Sequence, residues 1–292
     1  MKLLLTLLFI LFAKISFAFN ITEKPINVIM PFGAGGGVDQ TFRHFEKYLS
    51  NQNIKMIPVY KPGANGVVAG SELFSSVPDG TIIYIGTAAT LAEFESKNPG
   101  KKLTSVSLIR NSIMSVVSGK LKNFEELETS IKNNQRILLG YTSPDQIRLF
   151  NEFASRINKN YTPELVPYKA VPQMLQDLGG GVIDLSLVPF SVSKPLIDSK
   201  KLTLIAHDNN VEIEGFNATA LPKQFKNWTR FGGFALALPP NASPDIVQIY
   251  LKLLTAYVND PNTLKDWRQD LLIPVPLGRQ ALDEQIKLAQ EK

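Results

Sequence analysis

Residues 31–39 read Pro-Phe-Gly-Ala-Gly-Gly-Gly-Val-Asp, and the rest of the chain is organised around this stretch. The apolar run Ile26–Met30 precedes it and predicts a buried strand, while Phe42, Phe45 and Leu49 follow it at helical spacing. A strand, a glycine-rich turn and a helix leave backbone N–H groups free at the positive end of a helix dipole. The glycines also permit positive φ and let a ligand approach the backbone without meeting a Cβ atom. The stretch therefore predicts an anion site.

Neither common nucleotide-binding motif fits this turn. The dinucleotide fingerprint G-x-G-x-x-G accepts Gly33 and Gly35, but Val38 stands where the third glycine belongs. The next predicted strand ends with Val59 and Tyr60 and so lacks the acidic residue that would bind a ribose. A P-loop requires a lysine directly after the glycines, and none follows. A small anion is therefore the predicted ligand, and a tight turn that binds nothing is the alternative.

The N-terminus has the pattern of a cleavable signal peptide. Lys2 is followed by the apolar run Leu3–Ala13, and small residues stand at Ser16 and Ala18. This apolar run is too short to span a bilayer, so we expect export to the periplasm with cleavage after Ala18.

The composition excludes several classes of function. The chain has 292 residues, of which 44% are hydrophobic, and its net charge of +5 is not gathered in a basic patch, so we expect no nucleic-acid partner. It has no cysteine, which excludes disulfides, thiolate metal sites and a cysteine nucleophile. His44 and His207 have no companions at metal-ligand spacing, and no G-x-S-x-G motif is present. We therefore expect no metal, no cofactor and no enzymatic activity.

The alternation of strands and helices predicts α/β layers in two lobes. Two long β-prone segments, residues 106–117 and 231–238, are interpreted as the places where the chain crosses between lobes at a hinge. Lobe 1 is then residues 19–112 and 232–292, and lobe 2 is residues 113–231. The polar segment Leu91–Leu103 is predicted to be a surface connection.

Several short motifs, taken in order, resemble one protein family. Residues 31–39 are similar to the P-F-x-A-G-G-G-T-D opening of the extracytoplasmic receptors of tripartite tricarboxylate transporters, the Bug family. Residues 62–66 resemble the P-G-A-x-G turn of that family, and residues 78–80 resemble its P-D-G turn. Residues 167–169 and 178–184 resemble its P-Y-K and L-G-G-x-V-D segments. The resemblance covers nearly the whole chain after residue 18.

The resemblance implies a type II periplasmic-binding-protein fold with a carboxylate between two α/β lobes. It further implies a monomer that works with the membrane permease subunits of a transporter and binds a di- or tricarboxylate or a related organic acid. The near carboxylate would be held by main-chain N–H groups and water. The ligand-binding residues implied are Gly33, Ala34, Gly35, Gly36, Gly37 and Val38 in the first turn, Gly63, Ala64 and Asn65 in the second, Thr87, Ala88 and Ala89 in the third, and Thr142, Ser143, Phe190 and Ser191 in lobe 2.

The chain departs from the family pattern at Val38, in the first turn, and at Tyr60, at the end of the second predicted strand. Val38 stands where Thr or Ser is usual, so a hydroxyl is missing beside the near carboxylate, and Tyr60 replaces the usual Asn. Asp39 would repel a carboxylate, so we interpret it as a structural residue that bonds N–H groups at the helix start. Thr142 and Ser143 fit helix caps and ligand donors equally well.

Four other side chains are candidates for the cleft. Lys169 fits a solvated lysine better than a ligand contact, and core packing is favoured for Trp228, Arg230 and Phe234. The sequence therefore predicts a solute-binding receptor. The alternatives are an exported hydrolase that acts on a small anionic ester, with the first turn as its oxyanion site, and a receptor adapted to signalling.

Overall fold

The computed structural model describes residues 23–210, 212–226 and 233–291. The strands in these ranges are β1 Ile26–Met30, β2 Met56–Tyr60, β3 Ile82–Thr87, β4 Thr104–Ser112, β5 Met114–Ser118, β6 Leu138–Tyr141, β7 Glu164–Pro167, β8 Leu185–Pro189, β9 Thr203–His207, β10 Thr219–Ala220, β11 Phe234–Leu238 and β12 Leu272–Ile273. The helices are α1 Gly37–Ser50, α2 Val67–Phe74, α3 Ala88–Lys97, α4 Phe124–Lys132, α5 Pro144–Ile157, α6 Val171–Gly179, α7 Phe190–Asp198, α8 Leu221–Gln224, α9 Pro244–Asn259, α10 Pro261–Gln269 and α11 Arg279–Gln290. A 3-10 turn, Ala64–Gly66, precedes α2.

The strands form two mixed sheets, one in each lobe. The first has the order β12-β4-β11-β3-β1-β2, and the second has the order β10-β9-β5-β8-β6-β7. In the first sheet β1 pairs in parallel with β2 and β3, whereas β11 runs antiparallel to β3 and β4. In the second sheet β6 pairs in parallel with β7 and β8, whereas β5 runs antiparallel to β8 and β9. The prediction of a two-lobed α/β fold is confirmed.

The chain passes from the first sheet to the second at Ile113. This residue alone separates β4 from β5, and the two strands lie in different sheets. The chain returns to the first sheet at β11. Residues 227–232, which precede β11 and include Trp228 and Arg230, lie outside the described residues. The lobe boundaries at 112/113 and 231/232 stay predictions.

Each sheet is covered on both faces because its strands alternate their side chains. In β3, Ile83 and Ile85 join one core cluster while Tyr84 joins the cluster on the opposite face. The first of these clusters also takes the apolar face of α1, which includes Phe42 and Phe45. This packing fixes the start of α1 at the carboxyl end of β1, directly above the first sheet.

One secondary-structure prediction was wrong. Residues 91–103 were expected to be a surface connection, but α3 spans most of this segment and buries Leu91 and Phe94 against the first sheet. The capping box at its start consists of Thr87 and Thr90, whereas the usual capping box pairs Ser or Thr with Glu or Gln. The Thr87 backbone N–H donates to Thr90 Oγ1 at 3.1 Å, and the Thr90 N–H donates to Thr87 Oγ1 at 3.3 Å. This reciprocal threonine cap has no common sequence signature.

No helix among the described residues is long and apolar enough to cross a membrane. The predicted signal peptide and its cleavage site after Ala18 lie outside the described residues.

Candidate functional site

A cleft lies between the two sheets and takes residues from both. Its cavity volume of about 70 Å³ is several times what one ordered water requires, so a small solute fits. It is lined by strand ends, by the helix starts that follow them and by residues at the β4–β5 junction: Phe32, Gly36, Gly37, Val38, Thr87, Asn111, Ser112, Met114, Thr142, Ser143, Asp145, Gln146, Val171, Pro189, Gly233 and Phe234.

The start of α1 presents unpartnered donors to this cleft. Gly36 is its N-cap residue and makes no side-chain cap. Gly36, Gly37 and Val38 are buried in the cleft wall, and their backbone N–H groups make no hydrogen bond to another described residue. First-turn N–H groups have no partners within their own helix, and they lie at its positive end. We call Gly36–Val38 the open end of α1, and it can hold an anion.

Asp39 is fixed away from the cleft by hydrogen bonds. Its Oδ2 accepts from the Gly35 N–H at 2.9 Å, and its Oδ1 accepts from the Tyr60 hydroxyl at 2.7 Å. Arg43 Nε lies 3.5 Å from the same Oδ1. The structural interpretation of Asp39 is confirmed, although the N–H that it binds belongs to the turn before the helix. Tyr60, the departure from the family pattern, supports Asp39 directly.

The other residues predicted in the first turn do not line the cleft. The Gly33 N–H donates to the Lys169 carbonyl oxygen at 3.0 Å, which ties the turn to lobe 2. Ala34 and Gly35 are exposed, and a Cβ atom at Gly35 would lie 2.6 Å from Pro172 Cγ. The glycine turn is therefore divided between a segment that contacts lobe 2 and the open end of α1.

The second and third turns contribute less than predicted. Gly63, Ala64 and Asn65 are absent from the cleft lining, and Ala64 is exposed. Of the third turn, Thr87 lines the cleft, but Ala88 and Ala89 are fully buried in the core of lobe 1. These alanines begin α3, so their side chains pack inward.

The start of α5 contrasts with that of α1 because the N–H groups of the two residues that lead into the helix are already bonded. Gln146 Oε1 accepts hydrogen bonds from the backbone N–H groups of Thr142 and Ser143, and Gln146 Nε2 donates to the Leu187 carbonyl oxygen. Thr142 and Ser143 line the cleft as predicted, but their N–H groups are bonded, and the Thr142 hydroxyl also donates to Gln146 Oε1 at 3.2 Å. Gln146 was not among the residues predicted from the sequence, although Ser143 and Gln146 have the spacing of a capping box. We call this the closed end of α5.

Phe190 and Ser191 begin α7 rather than ending a strand, and neither lines the cleft. Phe190 is buried with its ring 5.4 Å from that of Phe216. The Ser191 hydroxyl donates to Gln40 Oε1 at 2.8 Å, so it bonds across the lobes instead of to a ligand.

A buried arginine lies behind the open end of α1. Arg110 on β4 is fully buried, its Nη2 donates to the Gly37 carbonyl oxygen at 3.4 Å, and its guanidinium lies 4.6 Å from the centre of the Phe234 ring. Its Nε and Nη1 have no hydrogen-bond partner among the described residues. Burial lowers the pKa of Arg110 to about 10, so it stays charged at neutral pH and favours an anion nearby. Arg110 could have been identified from the sequence because it is the only charged residue in the β-prone segment 106–117.

Asp145 brings a negative charge to the opposite side of the cleft. Its Oδ1 is out of contact with solvent and has no hydrogen-bond partner among the described residues. Burial raises the pKa of Asp145, while a hydrogen bond from the Thr87 hydroxyl and the charge of Arg148 oppose that shift. The sequence analysis did not single out Asp145, because an aspartate in the first turn of a helix is common.

The described residues contain no group of three or more His, Asp or Glu side chains placed to hold a metal ion. Of the remaining predictions, core packing is confirmed for Phe234, which also lines the cleft.

Sequence comparison relates this chain to one family. Residues 43–291 match the family described as the tripartite tricarboxylate transporter family receptor. A UPF0065 protein of Bordetella bronchiseptica is 24% identical over 208 residues, which are 66% of this chain and 61% of that relative. The chain thus spans less than two thirds of the length of that relative. A UPF0065 protein of Cupriavidus necator is 24% identical over 243 residues, 77% of this chain and 72% of the relative.

Solved structures share the fold. The periplasmic binding protein BugD matches with a TM-score of 0.79 at 20% identity, covering 92% of this chain and 95% of BugD. An R. palustris protein solved with adipate has a TM-score of 0.81 at 17% identity, covering 92% and 95%. MatC from Rhodopseudomonas palustris, solved with bound malate, has a TM-score of 0.77 at 15% identity, covering 91% and 98%. The predicted periplasmic-binding-protein fold is confirmed.

Proposed function

Because this chain belongs to the receptor family of tripartite tricarboxylate transporters, we propose that it captures a small carboxylate in the cleft between its lobes. In this proposal the protein is exported to the periplasm, acts there as a monomer without a cofactor, and delivers its ligand to the membrane permease subunits of a transporter. It is a receptor and not an enzyme, in keeping with the description of its family.

The open end of α1 is the observation that carries this proposal. It offers three buried N–H donors at the positive end of a helix dipole, with the charged Arg110 behind them. A hydrogen bond from such a donor to a carboxylate contributes roughly 1.5–3 kcal/mol. Three of them, after the cost of ordering the ligand, suffice for micromolar binding, which corresponds to about −8 kcal/mol. The adipate and malate with which the similar structures were solved support an organic acid as the ligand.

Contacts between the lobes support capture by closure. The Gly33 N–H binds the Lys169 carbonyl oxygen, and the Ser191 hydroxyl binds Gln40. In the proposal these bonds form when lobe 1 (19–112 and 232–292) and lobe 2 (113–231) close about the two crossings.

A thermal-shift screen tests the proposal. A ligand that binds only the native protein raises its melting temperature by mass action, so at least one small organic acid should raise it in a saturable way. Native mass spectrometry of the purified protein should then show the same acid bound without conversion. Hydrolysis of a small anionic ester, with no shift by any acid, would contradict the proposal and favour the exported-hydrolase alternative.

A further inference from the structure

Asp145 is placed where a receptor for dianions would not be expected to carry a negative charge. It lines the cleft at the second residue of α5, and its Oδ1 faces neither solvent nor a hydrogen-bond donor of a described residue. Thr87, which belongs to the opposite lobe, lines the same cleft. The carboxylate therefore lies at the interface where a ligand is enclosed.

A role in starting the helix does not account for this burial, because the chain contains a matched case. Residues 143–145 and 243–245 both read Ser-Pro-Asp, and both begin a helix with Pro at its first position. Asp245 is exposed, and the adjacent Ser243 hydroxyl accepts the Ile246 N–H at 3.3 Å. An acid in the first turn thus serves helix α9 from the surface. The withdrawal of Asp145 Oδ1 from solvent is a property of the cleft.

An unpaired carboxylate oxygen that is withdrawn from water requires a donor, and a cationic donor also compensates the charge. We propose that Asp145 is a specificity-determining residue that binds an ammonium group of the ligand, so that the solute is an amino acid rather than a dicarboxylate. This inference rests on the proposed function, since the open end of α1 must hold the carboxylate of the same ligand. The cavity volume of about 70 Å³ suits a small amino acid.

The other ligand classes fit this pair of sites less well. A second carboxylate would meet Asp145 with a like charge inside the cleft, which disfavours binding. An unsubstituted acid would leave Oδ1 without a donor, and a hydroxy acid would supply the hydrogen bond without a compensating charge.

Calorimetry with acids that differ only in their second group tests the inference. The probes are butanoate, 4-aminobutanoate and succinate, together with propanoate, lactate and L-alanine, so that both spacings of the ammonium group are covered. For wild-type protein, one amino acid should bind at least about tenfold more tightly than its unsubstituted acid and than succinate. Asp145→Asn should remove at least about tenfold of that affinity and should raise the affinity for succinate.

Control variants separate the possible outcomes. Asp245→Asn changes the matched helix start and should leave every affinity as in the wild type. Asp145→Ser replaces Asp145→Asn if circular dichroism shows that the latter does not fold. If acids bind but succinate is the tightest wild-type ligand, or if both Asp145 variants keep the wild-type ranking, the inference about Asp145 is overturned and carboxylate capture stands. If no acid binds the wild-type protein, both the inference about Asp145 and the proposed function are overturned.

Discussion

Two helices begin at the cleft, one from each lobe, and their ends differ. At the open end of α1, Gly36–Val38 keep their backbone N–H groups free of described partners. At the closed end of α5, the Gln146 side chain accepts the N–H groups of Thr142 and Ser143. The first end has Arg110 behind it, whereas the second carries Asp145. A helix start is thus an anion site only where its own side chains leave the donors free.

The contrast also predicts which side of the cleft binds the carboxylate of the ligand. A carboxylate is favoured at the lobe 1 side by donors and positive charge, and disfavoured at the lobe 2 side by occupied donors and a carboxylate. We therefore expect the loss of donors at the open end to weaken carboxylate binding far more than a change at Thr142 in the closed end.

The largest effect is expected for Gly36→Val. The φ of Gly36 is −96°, so valine is compatible with the backbone, but its Cβ would lie 3.0 Å from Val171 Cγ2 within the cleft wall. The branched side chain fills the space next to the free N–H groups. Loss of two donors at roughly 1.5–3 kcal/mol each should weaken carboxylate binding about 100-fold or more. Calorimetry measures the affinity, and circular dichroism should show a native fold.

Thr142→Val is the matched variant at the closed end. It keeps the shape of the side chain, and the backbone N–H of Thr142 remains bonded to Gln146. Its affinity should stay within about threefold of the wild type. Parental affinity in Gly36→Val, or an equal loss in Thr142→Val, would contradict the difference between the two ends.

An intermediate effect on binding is expected for Arg110→Met. This variant should bind a carboxylate more weakly than the wild type but should be at least as stable. The guanidinium is buried with two unpartnered nitrogens, and burial lowers its pKa to about 10, which shows that the fold disfavours its charge. Methionine removes this penalty and keeps an unbranched side chain over the Phe234 ring. Denaturant unfolding should give an equal or higher free energy of unfolding.

The same variant removes the positive charge behind the open end of α1, so carboxylate binding should weaken about tenfold, or about 1.4 kcal/mol. In the wild type this contribution should persist below pH 10 and decline above it, because the Arg110 pKa is about 10. Tighter binding by Arg110→Met would show that the charge does not act on the ligand.

The sequence predicted those parts of the site that depend on neighbouring residues. The glycines and the helical spacing of Phe42, Phe45 and Leu49 are local features, so they indicated the strand, the turn and the start of α1. They did not show which glycine takes positive φ. Gly35 does so at 85°, because Gly36 is already extended as the N-cap residue.

The residues that the sequence analysis missed depend on contacts between distant parts of the chain. Arg110 is significant because β4 places it under Gly37, and Asp145 because α5 brings it into the same cleft as Thr87 of the other lobe. The prediction of Ala88 and Ala89 as ligand contacts relied on a loop, but a threonine cap begins a helix there and buries both side chains. Such pairings follow from the assembled lobes and not from spacing along the chain.

An effect on binding as small as that of Thr142→Val is expected for Tyr60→Phe. The Tyr60 hydroxyl donates to Asp39 Oδ1 at 2.7 Å, and burial is the largest cause of the raised pKa of Tyr60, followed by its hydrogen bond to Asp39. Loss of this hydrogen bond should lower the free energy of unfolding by about 0.5–1.5 kcal/mol. Asp39 keeps its bond to the Gly35 N–H, and the Arg43 side chain stays close to it, so the open end of α1 keeps its conformation. Affinity for the carboxylate should therefore change by less than about threefold while the melting temperature falls. A tenfold loss of affinity in calorimetry, at a ligand concentration where the variant is fully folded, would mean that Tyr60 and Asp39 position the donors of α1 and do not merely stabilise the turn before it.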